Sequence, residues 1–436
     1  MANIRPFHAI RYARHTDLPL ASLIAPPYDV LDEQQKRALQ ARHPNNIVTI
    51  DLPFTPPKSV GPDSVYEHAN ITLRAWLDAG ILVKDRRQAM YPYTQSFQHH
   101  GRTYHRRGFI CLVKLTPFGE DVIPHEKTYP GPIEDRLKLM HATGCQLSPV
   151  FGLFNDPRNE VTSLLYKQVG RPEMSATVDG VTHQLWSVID GAVENQVLHE
   201  MVDKHIYIAD GHHRYTTALH YRTQVERNEN GGKPLPPSHP ANFCMFVLVS
   251  MQDDGLLILP THRLLKLSQP FSIDGLKKAT HGVFEIADTG IAPDAVARWI
   301  DEQLPRLPNH TFGLYDSASK KLLRLTLTRP DVLRTLEPGR GDAWRQLDVA
   351  ILQRYLIDEV FQPAFNGGAE VKKGYTSESA KVVPMTNGND HDLALILKPT
   401  PLHALADLGK TGDVMPQKST FFFPKLATGL TVYPLR

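Results

Sequence analysis

The segment Ile206–Tyr221 reads IYIADGHHRYTTALHY and concentrates residue types that can bind a phosphate group. A short strand that turns sharply into a helix leaves backbone N–H groups without intrahelical partners, and these groups bind anions together with the helix dipole. Gly211 lets the backbone approach a ligand closely. Arg214 offers a planar, permanently charged fork, and Asp210 can accept a proton or hold a hydrated Mg²⁺. This pattern predicts an anion site at residues 210–214.

Two histidines, His212 and His213, lie inside this segment and can donate hydrogen bonds or carry a proton. A zinc pair is disfavoured, because adjacent histidines point about 100° apart on a helix, whereas helical zinc ligands stand four residues apart. The alternative is a plain capped helix with two incidental histidines, since Asp and Gly are common at helix starts.

A second group of candidate residues lies in PHEKTYPGPIEDRL, residues 124–137. Its prolines restrict the backbone, so that charged side chains can be held in place. We interpret Glu126 as a general base and Lys127 and Arg136 as partners of a phosphate group. A solvated charged loop is the alternative.

A third motif, MPQKSTFFFPK, places Lys418 and Lys425 on either side of an aromatic run at residues 415–425. Lys-Ser-Thr is similar to the end of a phosphate-binding P-loop, but the glycines that such a loop requires are missing. We assign Lys418 to the anion pocket. The alternative is an edge strand whose lysines prevent edge-to-edge pairing.

Two shorter motifs complete the set of candidate residues. In APPYDV, Tyr28 and Asp29 follow a rigid Pro-Pro pair, and in PTHR, His262 and Arg263 stand side by side. Each motif alone is typical of an ordinary loop. In combination with the other motifs, we predict that these four side chains bind the substrate.

The elements that position these motifs include both helices and strands. Asp32 can cap a helix over residues 33–42, and apolar spacing predicts a second helix from about residue 63 to Gly80. Aromatic and β-branched residues on both sides of His100-Gly101 predict a hairpin. A further helix with Asp342 as its cap is predicted from an apolar stripe, formed by Trp344, Leu347, Ile351 and Tyr355.

This mixture of hairpins and separated helices predicts an α+β protein with mixed or antiparallel sheets and flanking helices. The Gly- and Pro-rich stretch at residues 231–242 is a possible boundary. We therefore predict an N-terminal α+β region at residues 1–230 and a C-terminal α+β region at residues 241–436, within one compact, intertwined unit.

The composition is that of an ordinary folded protein, with 41% hydrophobic and 22% charged residues among 436. The 48 basic and 46 acidic residues nearly cancel, which disfavours nucleic acid and anionic membranes as partners. The widely spaced cysteines indicate a reducing compartment and no cysteine-bound zinc. With neither a secretory signal nor a membrane-spanning run, we expect a cytoplasmic protein that binds a small-molecule substrate.

In this order, APPYDV, HEKT with EDRL, ADGHHRY, LPTHR and MPQKST resemble the family catalogued as Domain of Unknown Function 1015. The resemblance runs from Arg5-Pro6-Phe7 to about Thr428-Gly429. The DGHHR segment is also similar to the phosphate-binding box of the ParB/sulfiredoxin fold. The free-serine kinases of that superfamily carry a similar turn and offer the nearest functional analogy.

This resemblance implies a ParB/sulfiredoxin-like core with large additions. It also implies that residues 210–214 hold the phosphate donor, which is ATP, ADP or pyrophosphate, and that Mg²⁺ is the cofactor, with Asp210 as its ligand. One position departs from the family pattern, because Thr216 stands where a Glu is expected. A threonine cannot act as a base at neutral pH without help. If the Glu of the family supplies acid–base chemistry, this member uses another carboxylate or its activity is altered.

The leading hypothesis is phosphoryl transfer to a small hydroxylated metabolite, with free L-serine as the best match. Glu126, Asp210 and His213 would be catalytic, and either Glu126 or Asp29 would orient or deprotonate the acceptor. The donor would be bound by a larger set, namely Gly211, His212, His213, Arg214, Lys127, Arg136 and Lys418. Two alternatives stay open: a phosphohydrolase acting on a phosphomonoester such as phosphoserine, and a nucleotide-dependent ParB-like binding module.

Overall fold

The computed structural model describes residues 2–14, 18–57, 59–126, 130–388 and 390–436. No helix within these ranges is long and apolar enough to cross a membrane. The chain divides into two compact units. The first comprises Met1–Pro124, Thr128–Leu257 and Pro424–Arg436, and the second comprises His125–Lys127 and Ile258–Phe423.

Strands and helices alternate irregularly along the chain. The strands are β1 Ile4–Arg5, β2 Ile10–Tyr12, β3 Leu82–Lys84, β4 Tyr91–His99, β5 Arg102–Lys114, β6 Val122–Ile123, β7 Cys145–Gln146, β8 Val150–Phe154, β9 Met174–Val178, β10 Val181–Leu185, β11 Ile206–Asp210, β12 Phe243–Ser250, β13 Leu257–Leu259, β14 His262–Lys266, β15 Phe284–Asp288, β16 Thr311–Asp316, β17 Lys321–Leu327, β18 Lys372–Thr376, β19 Leu393–Ile396, β20 Phe421–Phe423 and β21 Tyr433–Pro434. The α-helices are α1 Leu20–Leu23, α2 Glu33–Arg42, α3 Val48–Asp51, α4 Asp63–Asp78, α5 Pro130–Thr143, α6 Glu160–Tyr166, α7 Gly191–Met201, α8 His212–Glu229, α9 Ile273–Ala279, α10 Val296–Arg298, α11 Val332–Leu336, α12 Asp342–Arg345, α13 Asp348–Ala350, α14 Gln362–Phe365, α15 Ser379–Thr386 and α16 His403–Thr411. Shorter 3₁₀ turns lie at Tyr28–Val30, Pro240–Asn242, Pro293–Ala295 and Leu304–Arg306, and π-helical stretches at Trp299–Gln303 and Ile351–Phe361.

A mixed sheet forms the centre of the first unit. Among the described residues it has nine strands, in the order β6-β11-β8-β12-β5-β4-β10-β9 with β1 beside β5. β6 is parallel to β11 and β8 is parallel to β12, whereas the other neighbours are antiparallel. Every residue of β8 and β12 is buried, so these central strands are covered on both faces. They position β11, and therefore the Asp210-Gly211 turn, close to the core.

An antiparallel sheet forms the centre of the second unit. Its strand order within the described part of the chain is β15-β17-β16-β19-β14-β18. The core under this sheet includes Leu264, Trp299, Tyr315, Leu322 and Ile396. β14 lies between β18 and β19, so both of its edges are hydrogen-bonded.

The predicted α+β class is confirmed. Two of the predicted elements show the local features on which the prediction is based. Asp32 and Gln35 form a reciprocal capping box at the start of α2, with Asp32 Oδ1 accepting from Gln35 N at 2.7 Å. The β4–β5 hairpin turns at His100 and Gly101, whose φ angles of 47° and 74° suit a tight two-residue turn.

Two expectations about the chain's organisation need correction. Residues 231–242 do not separate the units, because β12 follows this loop and pairs with β5 and β8 of the first unit. Asp342 is the first residue of α12, whose cap position is occupied by Gly341. The predicted single helix is also interrupted, since Leu347 has extended backbone angles and separates α12 from α13.

Candidate functional site

The strand–turn–helix at residues 206–229 has the predicted geometry. β11 ends at Asp210, Gly211 adopts a left-handed φ of 95°, and α8 begins at His212. No side chain caps this helix, and its first turn contains no acidic residue. The partial positive charge at the start of the helix is therefore not neutralised by α8 itself.

Gly211 is required for two separate reasons. Its φ lies in a region that residues with a Cβ rarely adopt. A Cβ at this position would also lie 2.9 Å from Arg214 Cζ. The Arg214 guanidinium therefore folds back over the turn and lies directly beside the first residues of α8.

Asp210 binds two cations that come from different parts of the first unit. Its Oδ2 accepts from Arg214 Nη2 at 2.7 Å, and its Oδ1 accepts from Lys425 Nζ at 3.0 Å. Arg214 Nη1 donates to Pro149 O, while its buried Nε has no hydrogen-bond partner among the described residues. Two positively charged side chains therefore lie beside the turn, and both are hydrogen-bonded to the Asp210 carboxylate.

The backbone around Lys425 is held by two polar residues of β4 and β5. Gln95 Nε2 donates to Lys425 O at 2.9 Å, and Arg106 Nη2 donates to Pro424 O at 2.5 Å. Arg106 is 2% exposed, and burial lowers its pKa to about 10. These contacts explain why a lysine from the C-terminal segment reaches Asp210, a pairing that sequence spacing did not indicate.

Arg214 remains a strong cation in this environment. Burial alone would lower the pKa of its guanidinium, but the charges of Asp210 and Asp29 outweigh this effect and raise it. The side chain is 7% exposed. It therefore keeps its charge at any pH at which the protein is folded.

Arg136, predicted to bind phosphate, is instead engaged within the protein. Its Nε donates to Asp135 Oδ2 at 2.8 Å, its Nη1 donates to Asp51 O, and its guanidinium lies 4.1 Å from the centre of the Tyr28 ring. Tyr66 Oη donates to Asp135 Oδ1 at 2.7 Å. The residue is buried and these contacts hold it in the cluster, although its Nη2, 2.6 Å from Asp135 Oδ2, forms no hydrogen bond among the described residues. Its contact with phosphate stays a prediction.

The predicted substrate residues Tyr28 and Asp29 lie beside this cluster. Tyr28 is 1% exposed, and burial raises the pKa of its hydroxyl. Asp29 is partly exposed, yet its Oδ1 is buried and has no hydrogen-bond partner within the described ranges. A buried carboxylate oxygen without a donor is costly, so Asp29 is a candidate acceptor for a ligand's N–H or O–H.

A small cavity of about 30 Å³ lies next to the two arginines. This volume is enough for a water molecule. Its polar and charged lining is formed by Asp51, Arg136, Gln146, Ser148, Arg214 and Thr217, with Cys145 and Cys244 also present. Burial raises the pKa of Asp51 despite the opposing charge of Arg136. The sequence carried no signal for Asp51, which follows an apolar run.

The remaining side chains of the turn differ in exposure. His212 is buried and His213 is partly exposed. Thr216, at the position of the expected Glu, is 9% exposed, and its hydroxyl donates to His212 O at 2.9 Å. Thr216 therefore bonds within its own helix, which does not equip it to act as a base.

The predicted Mg²⁺ ligand, Asp210, does not fit that role in this arrangement. Both of its oxygens accept from cations, and a divalent ion beside Arg214 and Lys425 would be repelled. Among the residues that the structure describes, no group of three or more His, Cys, Asp or Glu side chains could hold a metal ion. Asp210 instead organises the two cations.

In the second unit, Glu126 contacts the segment that follows α16, at residues 415–420. Its Oε1 accepts from Ser419 N at 3.1 Å, and His125 Nε2 lies 2.9 Å from Thr420 Oγ1. Lys418, in the same segment, has a left-handed φ of 56°. Lys127, the other predicted phosphate partner here, lies outside the described residues.

His262 and Arg263 are both 0% exposed, so the predicted contact with substrate does not fit their placement. They begin β14, which is hydrogen-bonded to β18 on one edge and to β19 on the other. Burial lowers the pKa of His262 to about 3 and that of Arg263 to about 10. Arg263 Nη2 donates to Gln417 O at 3.1 Å, which ties it to the segment around Lys418.

The profile of the family described as "Protein of unknown function (DUF1015)" matches residues 4–350, most of the chain. The chain belongs to this family. No curated protein matches its sequence.

Several solved structures are similar to this family member. A free serine kinase mutant in complex with AMP aligns at 12% identity with a TM-score of 0.35, over 73% of this chain and 91% of that one. A conserved hypothetical protein from Pyrococcus furiosus aligns at 14% identity with a TM-score of 0.34, over 74% and 94%. SbnI with a C-terminal truncation, from Staphylococcus aureus, aligns at 11% identity with a TM-score of 0.35, over 75% and 87%. At this level of similarity, no activity transfers from those proteins to this chain.

Proposed function

We propose that the protein is a phosphotransferase, a kinase that transfers a phosphoryl group to the hydroxyl of a small metabolite such as free L-serine. One observation carries the proposal: Arg214 and Lys425 converge on Asp210 beside the uncapped start of α8. A helix N-terminus flanked by two cations suits a phosphate group. Phosphoryl transfer relies mainly on positioning and charge stabilisation, which is what such an arrangement supplies.

The donor phosphates would lie against the first N–H groups of α8. Arg214 Nε, which has no partner among the described residues, would donate to a phosphate oxygen, and Lys425 would add a second positive charge. His212 and His213 would donate further hydrogen bonds. Because His213 is the more exposed of the two, it is the better candidate for carrying a proton.

The phosphate donor and the requirement for Mg²⁺ are to be determined by experiment. ATP, ADP and pyrophosphate are the candidate donors. AMP and ADP are the ligands of the free serine kinase structures, so both nucleotides are suitable probes. No protein ligand is assigned to Mg²⁺, because the oxygens of Asp210 are already engaged.

Two carboxylates would act on the acceptor. Asp29 would bind it, because the buried Oδ1 of Asp29 lacks a donor among the described residues. Glu126 would orient or deprotonate the acceptor hydroxyl. These roles predict different kinetic effects: Asp29→Asn should mainly raise KM for the acceptor, and Glu126→Gln should mainly lower kcat.

A kinase screen with the full chain tests the proposal. L-serine and other small hydroxylated metabolites are combined with ATP, ADP or pyrophosphate, each with Mg²⁺ and with a chelator. The expected product with L-serine is phosphoserine, at a rate that Lys425→Met reduces. A folded sample that turns over none of these combinations would contradict the proposal.

The same samples distinguish the alternatives. Phosphate release from phosphoserine without any donor would indicate a phosphohydrolase that uses the same anion pocket. Salt-dependent binding of DNA, together with no turnover, would indicate a nucleotide-dependent binding module.

A further inference from the structure

Arg263 is a charged side chain with no exposed surface. Within the part of the chain that the structure describes, it forms no ion pair. Its Nη1 donates to Thr261 O, its Nη2 donates to Gln417 O at 3.1 Å, and its guanidinium lies 5.7 Å from the centre of the Tyr375 ring. Removing a cation from water costs free energy, and carbonyl groups and an aromatic ring recover only part of that cost.

Residues 415–420, the segment that Arg263 contacts, form hydrogen bonds with His125 and Glu126. Met415 N donates to His125 O at 2.8 Å, and Ser419 N donates to Glu126 Oε1 at 3.1 Å. Between these two contacts lies Lys418, whose φ of 56° is strained for a residue with a long side chain. Such a backbone conformation persists only when neighbouring contacts hold it.

We propose that Arg263 is a positioning residue for Glu126. It holds the turn at residues 416–420 through Gln417 O, so that the Ser419 N–H stays directed at the Glu126 carboxylate. This inference rests on the proposed function, in which Glu126 acts on the acceptor hydroxyl.

Arg263 and Glu126 also interact through their charges, in addition to the hydrogen bonds that each of them makes with the turn. Burial lowers the pKa of Arg263, and the charges of Tyr375 and Glu126 oppose that change. His125 also lies close to Glu126, with its Nε2 3.8 Å from Glu126 Oε1.

Hydrogen exchange tests the positioning role without requiring any enzymatic activity. The variants are Arg263→Met, which removes the charge and the planar guanidinium with its N–H donors, and Arg263→Lys, which keeps the charge but not the guanidinium. Lys266→Met is the matched control, because Lys266 lies on the same strand but pairs with Asp392 at 2.8 Å. In both Arg263 variants, amides in the 415–420 segment should exchange about tenfold faster. Lys266→Met should leave this segment unchanged.

A comparison of kcat with KM tests the role in turnover. In Arg263→Met, kcat should fall about tenfold while KM for the acceptor stays near its wild-type value, because Glu126 would lose its orientation. Arg263→Lys, which also loses the planar guanidinium, should lower kcat in the same way. Wild-type protection of residues 415–420 in Arg263→Met, or an unchanged kcat, would overturn the inference. An inactive wild-type protein would contradict the proposed function, whereas the exchange result would still decide how Glu126 is held.

Discussion

Lys425 Nζ lies 3.0 Å from Asp210 Oδ1, although 215 positions separate the two residues in the sequence. The other oxygen of Asp210 accepts from Arg214 Nη2 at 2.7 Å. One carboxylate thus holds two cations beside the start of a helix that has no side-chain cap. This arrangement concentrates positive charge where an incoming phosphate would also meet the backbone N–H groups at the start of α8.

Asp210→Asn should lower the free energy of unfolding by roughly 3 kcal/mol, because Arg214 would be left buried without its carboxylate partner. The matched control is Asp63→Asn, which breaks a pair with Lys138 in which Asp63 is 79% exposed. That variant should unfold like the wild type. Urea denaturation of both variants measures the difference. Equal stability of the two variants would show that Asp210 does not anchor the cations.

Gly211→Ala should disturb the site more than the same change at the other end of α8. Gly231 also has a left-handed φ, of 59°, but a Cβ there would meet no atom within 4 Å. Gly231→Ala should therefore cost only the backbone strain, about 1 kcal/mol. Gly211→Ala should cost roughly 2 kcal/mol more, because its Cβ displaces the Arg214 guanidinium. Unfolding curves for the two variants test this, and equal costs would contradict the close approach of Arg214.

Thr216→Val should leave kcat close to the wild-type value. The Thr216 hydroxyl donates to His212 O inside the helix and is not directed at a reacting group. Thr217→Val is the natural control, because Thr217 makes the same kind of bond to His213 O. Loss of a general base costs about 10²- to 10⁴-fold in rate. A hundredfold fall in kcat confined to Thr216→Val would show that Thr216 takes part in the chemistry.

His310→Asn should make the protein's stability less dependent on pH. The hydrogen bond from His310 Nδ1 to Asp348 Oδ1, 2.8 Å long, raises the pKa of His310. The charged pair therefore stabilises the fold fully below about pH 6.5, the pKa of an unfolded histidine, and its contribution is lost as pH rises through the raised folded value.

At pH 5.5, His310→Asn should cost roughly 1 to 2 kcal/mol, and the cost should shrink towards pH 9. Asparagine suits this position because the backbone φ there is 56° and asparagine tolerates that region well. Urea denaturation at the two pH values measures the change. A cost that stays constant between them would exclude the ion pair as its cause.

Elements set by local signals could be predicted from the sequence. The capping box of Asp32 and Gln35, the hairpin turn at His100-Gly101 and the strand–turn–helix at Gly211 each depend on residues within a few positions of one another. The cationic character of Arg214 was also predictable from its residue type and place in the motif.

The partners of the charged residues could not be predicted in the same way. Arg136 contacts Asp51 across 85 positions, and Lys425 contacts Asp210 across 215. Such pairs form only after the sheet has brought distant segments together, and sequence spacing carries no information about them. The sequence therefore favours Lys418 of the C-terminal motif for the anion pocket, whereas the structure shows Lys425 Nζ 3.0 Å from Asp210 Oδ1.

His262 and Arg263 of the PTHR motif are buried, whereas the sequence of the motif predicts an exposed loop. Two adjacent polar residues, His262 and Arg263, are typical of an exposed loop, but both belong to a strand that is paired on both edges. Their complete burial changes the role of Arg263 from contacting substrate to holding the turn at Gln417.

Calorimetric titration of the full chain with pyrophosphate and ADP tests the central claim, that residues 210–214 and Lys425 form a phosphate site. The wild type should bind at least one of the two ligands, with an affinity that falls as salt is added. Lys425→Met should weaken that binding about tenfold or more, while Lys266→Met, which removes a lysine paired with Asp392, should not change it. Wild-type affinity in Lys425→Met, or no binding of either ligand by the folded wild type, would contradict the claim.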